Sequence, residues 1–248
     1  MVTPANHASS ATAIGLYVGT VIGFGAALLI ALGPRQLPPV ALVLTLLAAM
    51  LVVSVFKLRL PFGQSTMSMA FAVDFVSLLT AGADVAMVVA AAGVLVQCCV
   101  RVRSAQPWYR TAFSVATAVI SVQAAGLIWT ALGGTLAGPT VISAIVPLAA
   151  AALVYFGING GLISAAIALT AGMSPAAWWQ TFVATAPGYL VAAAAAGAFV
   201  VSMQHQAYLL VALAVAPVAV CYAAYAVLFR RMAERLQEET VSPGTVSV

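Results

Sequence analysis

Apolar residues run along this chain in unbroken blocks of about twenty, the length that a helix needs to cross the hydrocarbon core of a bilayer. Windows of that length predict spans near 12–32, 38–56, 63–81, 83–100, 110–132, 141–171, 178–202 and 207–229. Strands of a membrane barrel would instead alternate over about ten residues. The predicted fold is therefore all-α: a polytopic bundle of eight transmembrane helices. The third span is the weakest, because Gln64, Ser65, Thr66 and Ser68 open it and Asp74 lies within it. The sixth is too long for a plain crossing, roughly 46 Å at 1.5 Å per residue. It must tilt, kink at Pro147 or at the Gly157, Gly160, Gly161 group, or divide into two short helices.

Basic residues choose between those readings, since Lys and Arg collect on the cytoplasmic side of short loops. With one crossing at 141–171 and both termini inside, Lys57, Arg59, Arg101, Arg103, Arg110, Arg230, Arg231 and Arg235 are cytoplasmic and only Arg35 is outside. Two crossings there would move Arg230, Arg231 and Arg235 to the other face and erase the bias. A single kinked crossing and eight spans are expected. Trp108, Tyr109, Trp178 and Trp179 stand at span boundaries, where interfacial rings belong.

Composition removes the soluble alternatives. Of 248 residues, 64% are hydrophobic and 6% charged, against about 45–50% and about 25% in soluble domains. The bilayer is the expected partner. A net charge of +4 spread thinly over the chain makes no nucleic-acid surface. Residues 1–11 are polar but hold no Lys or Arg, so the basic start of a secretory signal is missing and the first span is expected to be retained. The organisation predicted is a polar tail at 1–11, a bundle at 12–229 and a charged cytoplasmic helix with a flexible tail at 230–248.

Asp74 carries the most chemical information, because an ionisable group within a span costs about 2.5–3.5 kcal/mol on insertion scales. It needs a partner, water or a proton. Gln123 and Asn159 are amides in the fifth and sixth spans, able to bridge helices or to hold a polar ligand. Asp74, Gln123 and Asn159 are the candidate ligand-binding set, with Ser121 and Ser164 as neighbours of the same chemistry. Asp84, beside Gly82, reads as the N-cap of the following helix. Gly15, Gly19 and Gly23 repeat every four residues, a stripe that permits close helix contact within the bundle or with a second copy. Pro187 and Pro217 fall within the last two spans and mark bends or hinges.

Cys98, Cys99 and Cys221 read as apolar filler, and His7 and His205 as surface residues without metal-ligand spacing. No metal or cofactor is expected. Without a catalytic triad, a zinc motif or paired carboxylates, an enzyme is not expected either.

The stretches LRLPFGQSTMSMAFAVDFVSLLTAGADVAMVVAA, PWYRTAFSVATAVISVQAAGLIW, ALVYFGINGGLISAAIALTAGMSPAAWW and CYAAYAVLFRRMAERLQEE resemble a family. It is that of the membrane-embedded (MASE-like) N-terminal sensor modules that precede GGDEF or HD-GYP domains in bacterial cyclic-dinucleotide signalling proteins. The likeness covers about 58–239. That family commonly has an Asn after the Phe early in the fifth span, where this chain has Phe113-Ser114; an Asn in the next span is matched by Asn159. The sequence stops where the signalling helix would begin, so a module without an output domain is expected.

The resemblance implies a bacterial inner-membrane, multi-pass sensor-like bundle without its own enzyme. The expectation is thus a non-enzymatic sensor or scaffold that binds a small ligand or lipid and signals through its exit helix. The helix would act on a cytoplasmic partner, or in a homodimer formed through Gly15, Gly19 and Gly23. The alternative is a transporter, or the substrate-capturing subunit of one, with Asp74, Gln123 and Asn159 around a midplane site.

Overall fold

The computed structural model describes the backbone of residues 4–32, 38–55, 58–59, 66–67, 70–100, 107–134, 141–171, 179, 182–183 and 186–241. Of the residues singled out in the sequence, Arg35, Lys57, Gln64, Ser65, Ser68, Arg101, Arg103 and Trp178 lie outside this set. The described residues form seven helices: α1 (Pro4–Ile30), α2 (Val40–Val55), α3 (Phe71–Cys99), α4 (Trp108–Ala131), α5 (Val141–Ala171), α6 (Ala186–Gln204) and α7 (Tyr208–Val241). Five of them contain stretches long and apolar enough to cross a membrane: Thr12–Ile30, Phe71–Cys99, Trp108–Ala131, Ser143–Thr170 and Ala186–Gln204. Shorter apolar stretches are Val40–Val55 and Val215–Leu228. This is the architecture of a helical membrane protein. Its outward faces agree, since Leu16, Phe24, Leu44, Leu153 and Val220 are all exposed, as suits side chains that meet lipid.

Several boundaries differ from the hydropathy reading. Helix α1 begins at Pro4, so the polar residues before Thr12 continue the same helix; proline suits a first helical turn, where its missing N–H would have no partner. The predicted span 63–81 starts as helix only at Phe71. Before it, Thr66–Met67 pairs antiparallel with Leu58–Arg59 through Leu58↔Met67 and Arg59↔Thr66. The polar run from Gln64 to Ser68 makes this stretch a poor span, and backbone pairing takes up part of it. Helix α6 is described from Ala186, with Pro187 as its second residue; ahead of it Trp179, Phe182 and Val183 are also helical, and the predicted start at 178 lies outside the described residues. Pro217 does lie inside α7, and Pro147 inside α5. Helix α5 is one element over 141–171, and α7 runs unbroken from the apolar segment through Arg230 and Arg231 to Val241.

Helix α3 is two arms joined at Gly82, whose φ of 83° and ψ of 172° are non-helical. That backbone region is essentially restricted to glycine. In a straight helix Ala70 would stand about 22 Å from Val85, yet both belong to one apolar cluster with Leu46, Met50 and Val89. Both arms pack with α2 in that cluster, Val73 and Val76 from the first and Val85 and Val89 from the second. Asp84 is the second residue after the break, in the first helical turn rather than at the N-cap position, where a carboxylate still suits the positive end of the helix.

The main core is built by α3, α4, α5 and α6, around Phe75, Leu79, Met87, Val119, Val122, Trp129, Ala151 and Ala192. Small residues set the helix separations. A Cβ on Gly25 would lie 2.5 Å from the Ala116 Cβ, one on Gly126 2.5 Å from the Ala83 Cβ, and one on Gly197 2.7 Å from Leu148 Cδ2. Gly15, Gly19 and Gly23 behave otherwise. All three are exposed, and a Cβ added to any of them would meet no atom within 4 Å, so among the described residues this stripe packs against nothing.

Candidate functional site

Helix α3 carries Asp74 one turn into its first arm, inside the bundle, at 5% exposure. Tyr155 reaches it from α5: the tyrosine hydroxyl donates to Asp74 Oδ2 at 2.7 Å. The ring of Tyr155 lies 5.6 Å from that of Tyr189 on α6, which stacks on Phe71 at 4.4 Å. Asn159, one helical turn beyond Tyr155, donates from Nδ2 to the Tyr189 hydroxyl at 2.7 Å. Asp74 and Asn159 are thus parts of one polar cluster, joined through two tyrosines in ring contact. Aromatic residues fit here because each gives a large apolar body to the core and one polar tip to the network.

Gln123 stands apart. It is half-buried on α4, and its Oε1 is buried without a hydrogen-bond partner among the described residues. No hydrogen bond links it to Asp74 or Asn159 there. Ser121 is buried and donates to the Thr117 carbonyl at 2.7 Å, an internal contact of α4. Ser164 is half-buried on α5. His205 lies in the exposed turn between α6 and α7.

Three residues of the site escape a reading by polarity alone. Tyr155 and Tyr189 look like span aromatics, and only the fold shows that their hydroxyls hold Asp74 and Asn159. Tyr225, on α7, packs against Gly188: a Cβ there would lie 3.1 Å from the Tyr225 ring. Its phenol oxygen also hydrogen-bonds the Gly188 backbone. Gly188 is the third residue of α6, where N–H groups lack a partner within the helix. Tyr225 thereby ties the start of α6, next to Tyr189, to the helix that leaves the bundle.

Four buried polar atoms have no hydrogen-bond partner among the described residues: Asp74 Oδ1, Ser77 Oγ, Thr117 Oγ1 and Gln123 Oε1. The described residues contain no group of three or more His, Cys, Asp or Glu side chains suited to a metal. Between α6 and α7 lies an open apolar groove of about 490 Å³, lined by Val191, Ala195, Ala198, Leu213 and Pro217, with Ser202 as its polar member.

Comparison with protein-family models, with curated proteins and with solved structures gives no match.

Proposed function

We propose that this chain is a non-enzymatic membrane sensor or scaffold, in which a small ligand or lipid bound within the bundle biases helix packing and moves the cytoplasmic end of α7. One observation carries the reading: an unbroken set of contacts leads from the polar core to the exit helix. It runs from Asp74 to Tyr155, to Tyr189, to the neighbouring Gly188 and then to Tyr225. Five residues beyond Tyr225, the same helix carries Arg230 and Arg231, and it continues as helix to Val241. A shift of Tyr189 is therefore felt by a rigid element that emerges from the bundle. A ligand drives such a shift only through different affinities for the two packings.

The membrane layout belongs to the same proposal. The two arms of α3 count as separate crossings, which gives eight with α1, α2, α4, α5, α6 and α7, and both termini face the cytoplasm of a bacterial inner membrane. In support, the β1 strand Leu58–Arg59 packs against α7, the helix that carries the basic residues of 230–235. The partner is a cytoplasmic signalling protein or a second copy that meets the exposed Gly15, Gly19, Gly23 face.

The test is cysteine crosslinking at Glu234 of the full chain in vesicles of differing lipid composition, with partner candidates from the same cell. Crosslinking yields that change with membrane composition are expected. An unchanged yield in every membrane, together with a strictly monomeric protein, removes the sensor reading. Solute uptake into the same vesicles would replace it with a transporter.

A further inference from the structure

Ser202 on α6 lacks a contact that other hydroxyl residues of the bundle make. The hydroxyls of Thr20, Thr45, Thr80, Ser121 and Thr170 each donate to the carbonyl four residues back on their own helix. The Ser202 hydroxyl makes no such bond among the described residues, although the residue is only 8% exposed. It lines the groove between α6 and α7 instead.

The facing wall of that groove holds a second polar group. Pro217 on α7 has no N–H, so the Leu213 carbonyl lacks the donor that four residues of helix would otherwise bring to it. Leu213 and Pro217 stand one turn apart on the same face, and both line the groove. In a bilayer a carbonyl freed in this way must find its donor elsewhere.

The groove also has a direction. Its α6 floor is made of the small residues Ala194, Ala195 and Ala198 between Val191 and Ser202, a length of about 17 Å at 1.5 Å per residue. Ser202 lies two residues before the end of α6 and Leu213 in the second turn of α7, so both polar groups sit toward the connecting turn. Gln204, His205 and Gln206 are exposed there. Val191, at the other end, is two residues from Tyr189. The slot is thus polar toward a helix end and apolar toward the middle of the bundle, the polarity of a bilayer lipid. No charged side chain lines it, so an ionised head would enter without a counter-charge. Its volume of about 490 Å³ is that of a small-molecule site, where a few polar groups fix the orientation of an apolar body.

We propose that this groove binds a single-chain neutral lipid with a hydroxyl head, of the monoacylglycerol class. Its hydroxyls accept from Ser202 and donate to the Leu213 carbonyl, and its chain lies along Ala198, Ala195 and Val191. As a ligand that moves α7, this lipid rests on the sensor reading; as a bound molecule, it rests on the groove alone.

The test is photolabelling of the full chain in phosphatidylcholine nanodiscs, using a monoacylglycerol with a diazirine in its chain and peptide mass spectrometry as the readout. Adducts are expected on the peptides that hold Val191 to Ser202 and Leu213 to Pro217, and monooleoylglycerol should compete them away. Ala198→Leu fills the slot from an exposed position and should cut labelling several-fold. Ser202→Ala should raise the competitor concentration needed several-fold. Pro217→Ala, which returns a donor to the Leu213 carbonyl, should do the same. Val220→Leu, on an exposed part of α7 outside the groove, should leave labelling unchanged. Circular dichroism checks the helix content of each variant. Labelling spread over every lipid-facing helix, or unmoved by Ala198→Leu, overturns the proposal. Equal competition by methyl oleate, which has no hydroxyl, overturns it too, and stronger competition by oleate identifies an anionic ligand instead. Disulfide formation between copies carrying Leu213→Cys, with no lipid adduct, assigns the face to a second copy. None of these readouts needs α7 to move, so lipid binding with constant crosslinking at Glu234 keeps the site and removes only the sensor.

Discussion

Tyr155 on α5 donates to Asp74 on α3 at 2.7 Å, across 81 positions of sequence, and this hydrogen bond fixes the buried carboxyl group of the core. Losing the donor leaves both carboxyl oxygens without a partner among the described residues. Tyr155→Phe should cost about 1–3 kcal/mol, the usual penalty for stranding a buried polar group. Asp74→Asn keeps an acceptor for the tyrosine and should cost less. Unfolding in mixed detergent micelles measures both, and the double variant closes the cycle. Strictly additive losses would mean that the two groups do not interact.

The turn at Gly82 is the sharpest local demand on the backbone. Gly82→Ala forces a side chain into a region reserved for glycine and should lower stability by about 1–3 kcal/mol. Unfolding measurements check this, with Gly161→Ala as control, since Gly161 has open space around its Cβ direction. Equal effects at both positions would contradict the break of α3 at Gly82.

Glycines on α1 divide into two classes. Gly25→Val must push against Ala116, where even a Cβ would sit at 2.5 Å, and should cost about 1–3 kcal/mol through overpacking. Gly15→Ala, Gly19→Ala and Gly23→Ala should each fall within about 0.5 kcal/mol of the parent, because a Cβ at these positions has open space around it. A Gly19→Leu variant that reduces crosslinking between copies while leaving stability intact would show that the stripe meets a second copy.

Hydropathy predicts the class of fold and much of its order, because apolar blocks near membrane length are a coarse signal that tertiary detail rarely overrides. It misplaces the start of α3, where Thr66–Met67 is paired backbone ahead of the helix. The direction of the glycine stripe is also hidden, since spacing says which residues share a face and not what that face meets. At the site, Asp74 and Asn159 are readable as polar residues in apolar surroundings. Their tyrosine partners are not, because a tyrosine in a span reads as apolar until its hydroxyl is located.

The coupling of the polar core to α7 is tested most directly by distance. Spin labels at Tyr109, exposed at the start of α4, and at Glu234, exposed on α7, report the position of the exit helix relative to the bundle. Measured in vesicles, the distance distribution should shift in Asp74→Asn and in Tyr225→Phe, and should do so in the same direction when the two are combined. Superimposable distributions for the parent and all three variants, each folded, would contradict the account.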